Sequence, residues 1–157
     1  MPTRGSDYAS GYDISCVGGI DGLDPKLVEK LQARDPASLA AMMDLQAGQL
    51  VMTPGSSYLF RTGIAMAIAH GYQCLLWDRS GLGGIERLHR LAGVIDEDYR
   101  GEWMVRLVHF GDSLLPIKVG DRIVQGIFQE RIEASFQVVS ALPVSERAAG
   151  GFGNSGQ

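Results

Sequence analysis

The sequence is poor in cysteine and lysine and has no long apolar run, and each shortage excludes a class of protein. Cys16 and Cys74 are the two cysteines and have no paired spacing, so a disulfide-stabilised secreted domain is not expected. No apolar run approaches the roughly 20 residues that span a bilayer, and no signal-peptide pattern opens the chain. With 14 basic and 18 acidic side chains, the formal charge of -4 argues against charge-driven binding to nucleic acid. We therefore expect a cytoplasmic protein with neither a membrane nor a nucleic acid as partner.

Arginine and glycine, by contrast, are abundant. The chain has 11 arginines against 3 lysines, and a planar guanidinium group can bind two phosphate oxygens at once. It also has 21 glycines among 157 residues, above the average usage of about 7%. The length and the hydrophobic share of 45% suit one domain with a sizeable core. A phosphorylated small ligand remains compatible with this composition.

Short β-strands are predicted for most of the chain after residue 48. Runs rich in Val, Ile, Leu, Phe and Tyr alternate with turn signals such as His70-Gly71 and Gly120-Asp121. The run that begins near Trp103 is largely apolar on both faces, which predicts a central strand. The pattern indicates an all-β sandwich or barrel, with strands within residues 49–53, 57–69, 72–78, 102–109, 114–119, 121–129 and 131–139.

Two short helices are predicted to interrupt the strands. Asp24-Pro25 and Asp35-Pro36 each place a capping residue before a proline at the first helical position, and Gly48 is a stop signal. The tail is Gly-rich and polar and has no periodicity, which predicts a flexible arm. We therefore expect one β domain over residues 1–145 with a helical segment at about 21–47, followed by an arm over residues 146–157.

Common nucleotide and metal motifs do not fit this chain. Residues 151–156 match G-x-G-x-x-G, but they lack the flanking strand and helix that a dinucleotide fingerprint needs. The three histidines, His70, His89 and His109, are too widely spaced for a local metal motif. Neither cysteine has a neighbour that would activate a thiol. The chemistry must therefore come from residues scattered along the chain.

Five short segments stand out along the chain. They are residues 10–14 (Ser-Gly-Tyr-Asp-Ile), 79–82 (Arg-Ser-Gly-Leu), 93–102, 120–127 and 147–156. Taken together and in order, they resemble the five motifs of the trimeric dUTPase (deoxyuridine 5'-triphosphate nucleotidohydrolase) family, and the third is similar to the family pattern at every position. The resemblance implies a distorted jelly-roll β-barrel, assembled as a homotrimer whose active sites are shared between subunits. The helical insertion suggests a virus- or phage-type member.

The activity implied by the resemblance is hydrolysis of dUTP to dUMP and pyrophosphate, by in-line attack of water on the α-phosphate. This reaction limits uracil incorporation into DNA and supplies dUMP for dTMP synthesis. The implied cofactor is Mg²⁺ bound through the substrate triphosphate, with no side chain ligating it directly. Asp13 resembles the family aspartate near the hydrated magnesium, and the alternative is an ordinary turn residue.

Two residues are the catalytic candidates. Asp96 follows an apolar pair that would anchor a hairpin, and a carboxylate held there can orient and deprotonate a water molecule. Gln125 lies in a predicted strand, where a neutral amide favours a hydrogen-bonding role. The resemblance assigns both to the attacking water, whereas a turn aspartate and a satisfied core amide are the alternatives.

The other candidates are expected to bind substrate. Arg79 and Ser80 offer a charged fork and a hydroxyl to phosphate oxygens, and the resemblance adds Gly81. Tyr99 resembles the tyrosine that packs on the deoxyribose, with a core aromatic as the alternative. The uracil would be bound mainly by backbone groups of the hairpin, including Gly93, Val94 and Ile95.

The arm carries the last candidates. Its glycines permit close backbone approach, and one aromatic and one arginine can close over a ligand. The resemblance assigns base stacking to Phe152 and phosphate binding to Arg147. A disordered tail is the alternative. The remaining binding candidates in the arm are Gly153, Asn154 and Ser155.

The chain departs from the family pattern in four places. In the fifth motif segment Asn154-Ser155 stand in place of Ser-Thr, which retains one hydroxyl. Trp77-Asp78 precede the Arg-Ser pair where a proline is common, which puts a carboxylate beside a site for a polyanion. His70 also stands where a proline is usual. The helical segment at 21–47 is an insertion, interpreted as a surface appendage, with a contact surface for a regulatory protein as the alternative.

Two other functions share the same features. The related dCTP deaminases have the barrel and the Arg-Ser segment, although the Asp-x-Asp-Tyr sequence and the Phe152 arm favour the pyrophosphatase. A nucleotide-switched binding protein that uses the insertion as its contact surface is the second alternative.

Overall fold

The computed structural model describes residues 1–145. Their backbone forms ten β-strands and two α-helices, with one wide helical turn at Ser80–Ile85. The strands are short because turns and bends interrupt the chain every few residues. The elements are β1 (Thr3–Arg4), β2 (Tyr12–Ser15), α1 (Pro25–Arg34), α2 (Pro36–Ala47), β3 (Leu50–Met52), β4 (Ser57–Arg61), β5 (Tyr72–Trp77), β6 (Leu88–Leu91), β7 (Val94–Ile95), β8 (Met104–His109), β9 (Leu115–Ile117) and β10 (Arg122–Glu130).

The strands form three antiparallel sheets. One has the order β1-β2-β10-β5-β7, one has the order β4-β8-β6, and β3 pairs with β9. Neighbours in these sheets are distant in sequence, as in a jelly roll. The mostly β, jelly-roll type of fold is therefore confirmed.

The core lies between the sheets. β8 is the middle strand of its sheet, as its two apolar faces predict, and Val105 and Leu107 on its inner face are buried. Trp103, just before β8, is 1% exposed and is the largest fully buried side chain. This core fixes the strands that carry the site.

The predicted strand at residues 131–139 is wrong. The structure has no strand after β10 within residues 1–145, and Ile132 and Phe136 are 90% and 94% exposed. The predicted run 57–69 likewise ends as a strand at Arg61. A β-prone segment becomes a strand only where a neighbouring edge can take its hydrogen bonds, and neither segment has one in the single chain.

Both predicted helices are confirmed at their caps. The Asp24 carboxylate accepts a hydrogen bond from the Lys26 amide at 3.0 Å, and the Asp35 carboxylate accepts one from the Ser38 amide at 3.3 Å. Gly48 ends α2 with a φ of +148°, a conformation that favours glycine. Neither helix is long and apolar enough to cross a bilayer.

The helical segment is part of the core, so its interpretation as a surface appendage is wrong. Met42 and Leu45 of α2 are each 1% exposed. Ser38 donates its hydroxyl hydrogen to the Asp35 carboxylate at 2.6 Å and accepts one from the Leu59 amide of β4 at 2.9 Å. The Asp35 carboxylate also pairs with Arg106 of β8. Partial burial alone would raise the pKa of Asp35, but the bonds from Ser38 and Arg106 outweigh it and lower that pKa.

Candidate active site

The middle of the five-stranded sheet brings together residues from three distant segments. The pairing of β10 with β2 shifts register between Arg122 and Val124, and this irregularity sets Gln125 opposite Asp13. On its other side Gln125 lies opposite Trp77, the last residue of β5. Arg79 follows two residues later, so the first, second and fourth motif segments meet here.

Asp13, Arg79 and Arg122 form an arginine cluster around one carboxylate. Arg79 donates from Nε to Asp13 Oδ1 at 2.7 Å and from Nη2 to Oδ2 at 3.3 Å, a two-pronged contact. Arg122 donates from Nη1 to Oδ2 at 3.0 Å. The Asp13 side chain is only 12% exposed, whereas that of Arg122 is 53% exposed. Two guanidinium groups share one carboxylate, so the cluster keeps an excess positive charge for an anion.

A cavity of about 280 Å³ adjoins the arginine cluster. Arg79 and Arg122 both line it, together with apolar side chains and one further carboxylate. Guanidinium groups at the wall of a cavity suit phosphate oxygens. The remaining lining residues are Leu82, Pro116, Ile117 and Asp121.

Gln125 is half-buried and hydrogen-bonded, as its place in a strand predicts. Its Nε2 donates to the backbone carbonyl of Asp78 at 2.9 Å. A carbonyl can only accept, so this bond fixes which end of the amide is the nitrogen. Within residues 1–145 it leaves the acceptor Oε1 without a hydrogen-bond donor. Oε1 lies against Gly11, where a Cβ would approach it to 2.5 Å. Only glycine fits at this position of the first motif segment.

Ser80 and Gly81 begin the wide helical turn after Arg79, and both are exposed. The Gly83 amide closes this turn onto the Arg79 carbonyl at 2.7 Å. Asp78 does not direct its carboxylate into the arginine cluster. That carboxylate instead accepts from His89 Nδ1 at 2.5 Å and from the Arg90 amide at 2.9 Å, on β6.

The hairpin after β6 forms a second cavity, of about 240 Å³. β7 pairs with Cys74 and Leu75 of β5, which fixes the hairpin to the sheet. Gly93 has a φ of +116°, and a Cβ there would come within 3.1 Å of the Leu76 carbonyl oxygen, so glycine is required. All five residues predicted for this part of the site line the cavity. The lining residues are Leu91, Ala92, Gly93, Val94, Ile95, Asp96, Tyr99 and Met104.

Asp96 and Tyr99 stand at the two ends of the turn that closes this hairpin. The Tyr99 amide donates to the Asp96 carbonyl at 3.2 Å, and the Tyr99 hydroxyl donates to the Glu102 carbonyl at 3.0 Å. Tyr99 is 43% exposed, so the alternative of a core aromatic is wrong. The Asp96 side chain is exposed, and within residues 1–145 its carboxylate has no hydrogen-bond partner.

Glu97 anchors the hairpin, a role that sequence reasoning missed. Its carboxylate accepts from the Gly71 amide at 2.7 Å and from His70 Nδ1 at 3.0 Å, and Arg131 Nη2 lies 3.7 Å away. The Gly71 and His70 contacts lower the pKa of Glu97, with Arg131 contributing. Glu97 anchors the hairpin through Gly71, which lies 26 residues earlier in the chain. A local sequence pattern cannot predict this contact.

Arg122 was also missed, although it lies in the fourth motif segment. A charged residue at the start of a strand is ordinary in sequence, and its role depends on the register that sets it beside Asp13. Burial raises the pKa of Cys16 and of Cys74 to about 11, which favours the uncharged thiol over the reactive thiolate.

The structure therefore groups the site residues into two sets. Asp13, Arg79 and Gln125 meet at the sheet, whereas Gly93, Val94, Ile95, Asp96 and Tyr99 meet at the hairpin, and the two cavities share no lining residue. The predicted arm residues Arg147, Phe152, Gly153, Asn154 and Ser155 lie outside the described residues. No group of three His, Cys, Asp or Glu side chains within residues 1–145 is placed to hold a metal ion.

Known proteins resemble this chain in sequence. A family model described as dUTPase matches residues 34–156, which include four of the five motif segments. Deoxyuridine 5'-triphosphate nucleotidohydrolase of Azotobacter vinelandii is 41% identical over 142 residues, covering 85% of this chain and 93% of the relative. The protein of the same name from Pseudomonas aeruginosa strain LESB58 is 42% identical over 144 residues, with the same coverage of 85% and 93%.

Solved structures share the fold. The dUTPase of Staphylococcus bacteriophage 80alpha with dUpNHpp superposes with a TM-score of 0.72 at 23% identity, covering 100% of this chain and 92% of that one. The dUTPase of Streptococcus mutans gives a TM-score of 0.61 at 21% identity, with coverage of 87% and 89%. The match to the family model and the identity to the curated relatives place this chain in the dUTPase family.

Proposed function

We propose that the protein hydrolyses dUTP to dUMP and pyrophosphate, with water attacking the α-phosphate in line. The observation that carries this proposal is the pair of cavities built by the motif segments. One is a small hairpin cavity lined by the residues predicted to hold the base and sugar, and the other adjoins two guanidinium groups, suited to phosphates. In the cell the reaction would limit uracil incorporation into DNA and supply dUMP, in keeping with a cytoplasmic location.

The hairpin would bind the nucleoside and would also carry the general base of the reaction. A cavity of about 240 Å³ suits one pyrimidine ring and part of its sugar. Backbone N–H and C=O groups of residues 93–96 can match the edge of uracil, and the Tyr99 ring can pack on the deoxyribose. Asp96, exposed at the rim, would accept the proton of the attacking water.

The arginine cluster and its neighbours would bind the triphosphate. Arg79, with Arg122 beside it, would offset charge that develops on the phosphate oxygens, and Ser80 and Gly81 would add a hydroxyl and a backbone amide. Gln125 would accept a hydrogen bond from the water through Oε1, because its nitrogen is held by the Asp78 carbonyl. The two halves would place the water in line with the leaving pyrophosphate.

Magnesium fits this site only as part of the substrate. Both oxygens of Asp13 accept hydrogen bonds from arginine, so this carboxylate is better placed to hold a water of a hydrated ion than to ligate it. We therefore propose that Mg²⁺ is carried by the triphosphate. When bound, the ion would offset phosphate charge.

The assembly is proposed to be a homotrimer with shared active sites. Residues 131–145 extend from β10 with apolar side chains exposed, among them Ile132 and Phe136. Residues 62–69 alternate in burial like a strand but pair with no strand in residues 1–145. Both features suit a segment that pairs with another copy of the chain. Light scattering should then give a mass three times the 16.9 kDa of one chain.

No protein partner is proposed at residues 21–47. Apart from Met43, which is 48% exposed, the Leu, Val and Met side chains of this segment are buried or partly buried within the chain. The arm at residues 146–157 is proposed to close over bound nucleotide, with Phe152 stacking on the base, Arg147 on the terminal phosphate, and Gly153, Asn154 and Ser155 completing the cover.

One assay tests the reaction. The protein is incubated with Mg²⁺ and, in separate reactions, dUTP, dTTP, dCTP and UTP, and the products are identified. We expect pyrophosphate and dUMP from dUTP and far slower turnover of the other three. Formation of dUTP or dUMP from dCTP would instead establish a deaminase, and pyrophosphate release from all four at similar rates would overturn the assignment to dUTP.

A further inference from the structure

Asp78 joins three elements around the site although it belongs to none of the groups expected to touch substrate. It lies between the end of β5 and Arg79. Its backbone carbonyl accepts from Gln125 Nε2 on β10 at 2.9 Å. Its carboxylate accepts from His89 Nδ1 at 2.5 Å and from the Arg90 amide at 2.9 Å, both on β6.

The carbonyl contact decides how Gln125 is oriented. An amide presents a donor on one side and an acceptor on the other, and a flip by 180° exchanges them. Because the Asp78 carbonyl can only accept, it holds the nitrogen of Gln125 and leaves Oε1 for the water. A carbonyl that moved away would leave both amide orientations open.

The carboxylate contacts hold that carbonyl in place. Asp78 precedes an exposed turn that begins at Ser80, and turns of this kind are easily displaced. The two bonds to β6 fix the Asp78 side chain, which is 26% exposed, to a strand that is paired along its length with β8. Hydrogen bonds to a charged acceptor are also among the stronger kinds.

The neighbouring residue is fixed from the same strand. The guanidinium of Arg90 lies over the Trp77 ring at 5.1 Å and donates to the Ala92 carbonyl at 2.6 Å. Trp77 and Asp78 are therefore both held by β6 immediately before the Arg-Ser pair. In the family pattern a proline commonly precedes this pair, and here hydrogen bonds supply the restraint that a fixed proline φ would give.

We infer that Asp78 is a positioning residue, which orients the Gln125 amide through its carbonyl because its carboxylate is clamped to His89 and Arg90. This inference rests on the proposed dUTP hydrolysis. Asp78 acts through Gln125 and through the turn that follows Arg79. Loss of the Asp78 side chain should therefore slow turnover more than it weakens substrate binding.

The test compares Asp78→Ala with Asp112→Ala. Asp112 is a suitable control because its carboxylate also accepts from an arginine, Arg87, at 2.9 Å, but its side chain is 89% exposed and lines neither cavity. For Asp78→Ala we expect kcat to fall about tenfold and KM to change by less than about twofold. Asp112→Ala should match the wild type in both.

A second readout does not depend on hydrolysis. In nitrogen-15 NMR spectra the side-chain amide of Gln125, assigned by its loss in Gln125→Glu, should shift and exchange faster in Asp78→Ala but stay unchanged in Asp112→Ala. If the wild type failed to hydrolyse dUTP, the proposed function would fall, whereas this signal would still decide whether Asp78 orients Gln125.

Two further variants cover the case in which Asp78→Ala does not fold. Asp78→Asn keeps an acceptor for the Arg90 amide, and His89→Ala removes the bond from His89 together with its ring contact with Phe110. Each should lower kcat by about threefold. Wild-type kcat together with an unchanged Gln125 signal in Asp78→Ala, or in both milder variants, would overturn the inference.

Discussion

The two halves of the site hold their polar side chains in opposite ways. At the arginine cluster the functional groups are paired with one another: Asp13 binds Arg79 and Arg122, and Gln125 binds the Asp78 carbonyl. At the hairpin the Asp96 carboxylate is exposed and makes no hydrogen bond within residues 1–145. Groups that bind charge can be preorganised by pairing, because they act through position. A group that takes a proton from water must keep at least one acceptor site free for that water.

The Asp96→Asn variant tests the free half and should have the largest effect. Asparagine keeps the shape and can still accept a hydrogen bond, but it cannot take a proton. We expect kcat to fall by about 10²- to 10⁴-fold, the usual contribution of a general base. Trimer mass and binding of a non-hydrolysable dUTP analogue should stay close to wild type, and both can be measured by light scattering and calorimetry.

Asp98→Asn is the matched control, since Asp98 is exposed on the same turn two residues further on. Its turnover should remain within about twofold of the wild type. Near-normal turnover of Asp96→Asn would mean that Asp96 is not the general base. The unpaired state of its carboxylate would then have no functional meaning.

Truncation after Glu146 tests whether hydrolysis needs the arm in addition to the hairpin and the arginine cluster. Removal of residues 147–157 takes away Arg147 and Phe152, which the proposal places over the phosphate and the base. We expect most dUTP hydrolysis to be lost, while the melting temperature changes little because the core residues all precede residue 125. Full activity of the truncated chain would show that the hairpin and the arginine cluster are sufficient without the arm.

The sequence predicts those parts of the fold that depend on neighbouring residues and those parts of the site that lie within one motif segment. Both helices begin where predicted because the capping aspartate and the proline lie next to each other. The five hairpin residues line one cavity because a tight turn keeps neighbours together. The resemblance supplied their proposed roles, which composition and periodicity alone do not.

The parts that sequence missed depend on distant partners. Residues 131–139 have the composition of a strand, but strand formation is decided by an edge that this chain does not offer them. Arg122 and Glu97 look like ordinary surface charges, and Asp78 stands out in the sequence only as a carboxylate beside the expected phosphate site, without its partners. Their importance arises from contacts with residues 11 to 109 positions away, which only the folded register creates.

Arg79→Lys tests the paired half. Lysine keeps the charge but cannot make the two-pronged contact with Asp13 or bind two phosphate oxygens in one plane. We expect kcat/KM for dUTP to fall about tenfold to hundredfold, equivalent to one lost charge-assisted hydrogen bond. Arg87→Lys, in an exposed ion pair with Asp112, is the control and should be unchanged. An unchanged kcat/KM for Arg79→Lys would mean that a positive charge at this position is sufficient and that the bidentate guanidinium contact is not required.

Glu97→Gln should have the smallest effect. The Glu97 carboxylate lies in the same hairpin as that of Asp96 but is hydrogen-bonded to His70 and Gly71. Its lowered pKa means that the folded protein favours the charged form, so it stabilises the fold above the usual pKa of a glutamate, about 4.3, and the stabilisation is lost as pH falls through the lowered pKa. Glutamine can still accept from the Gly71 amide, which limits the loss. We expect a melting temperature slightly below wild type near neutral pH, with a difference that disappears in acid. Glu133→Gln, which alters an exposed carboxylate paired with Arg131, should show neither change. A difference that persisted unchanged into acid would mean that Glu97 acts through shape and not through charge.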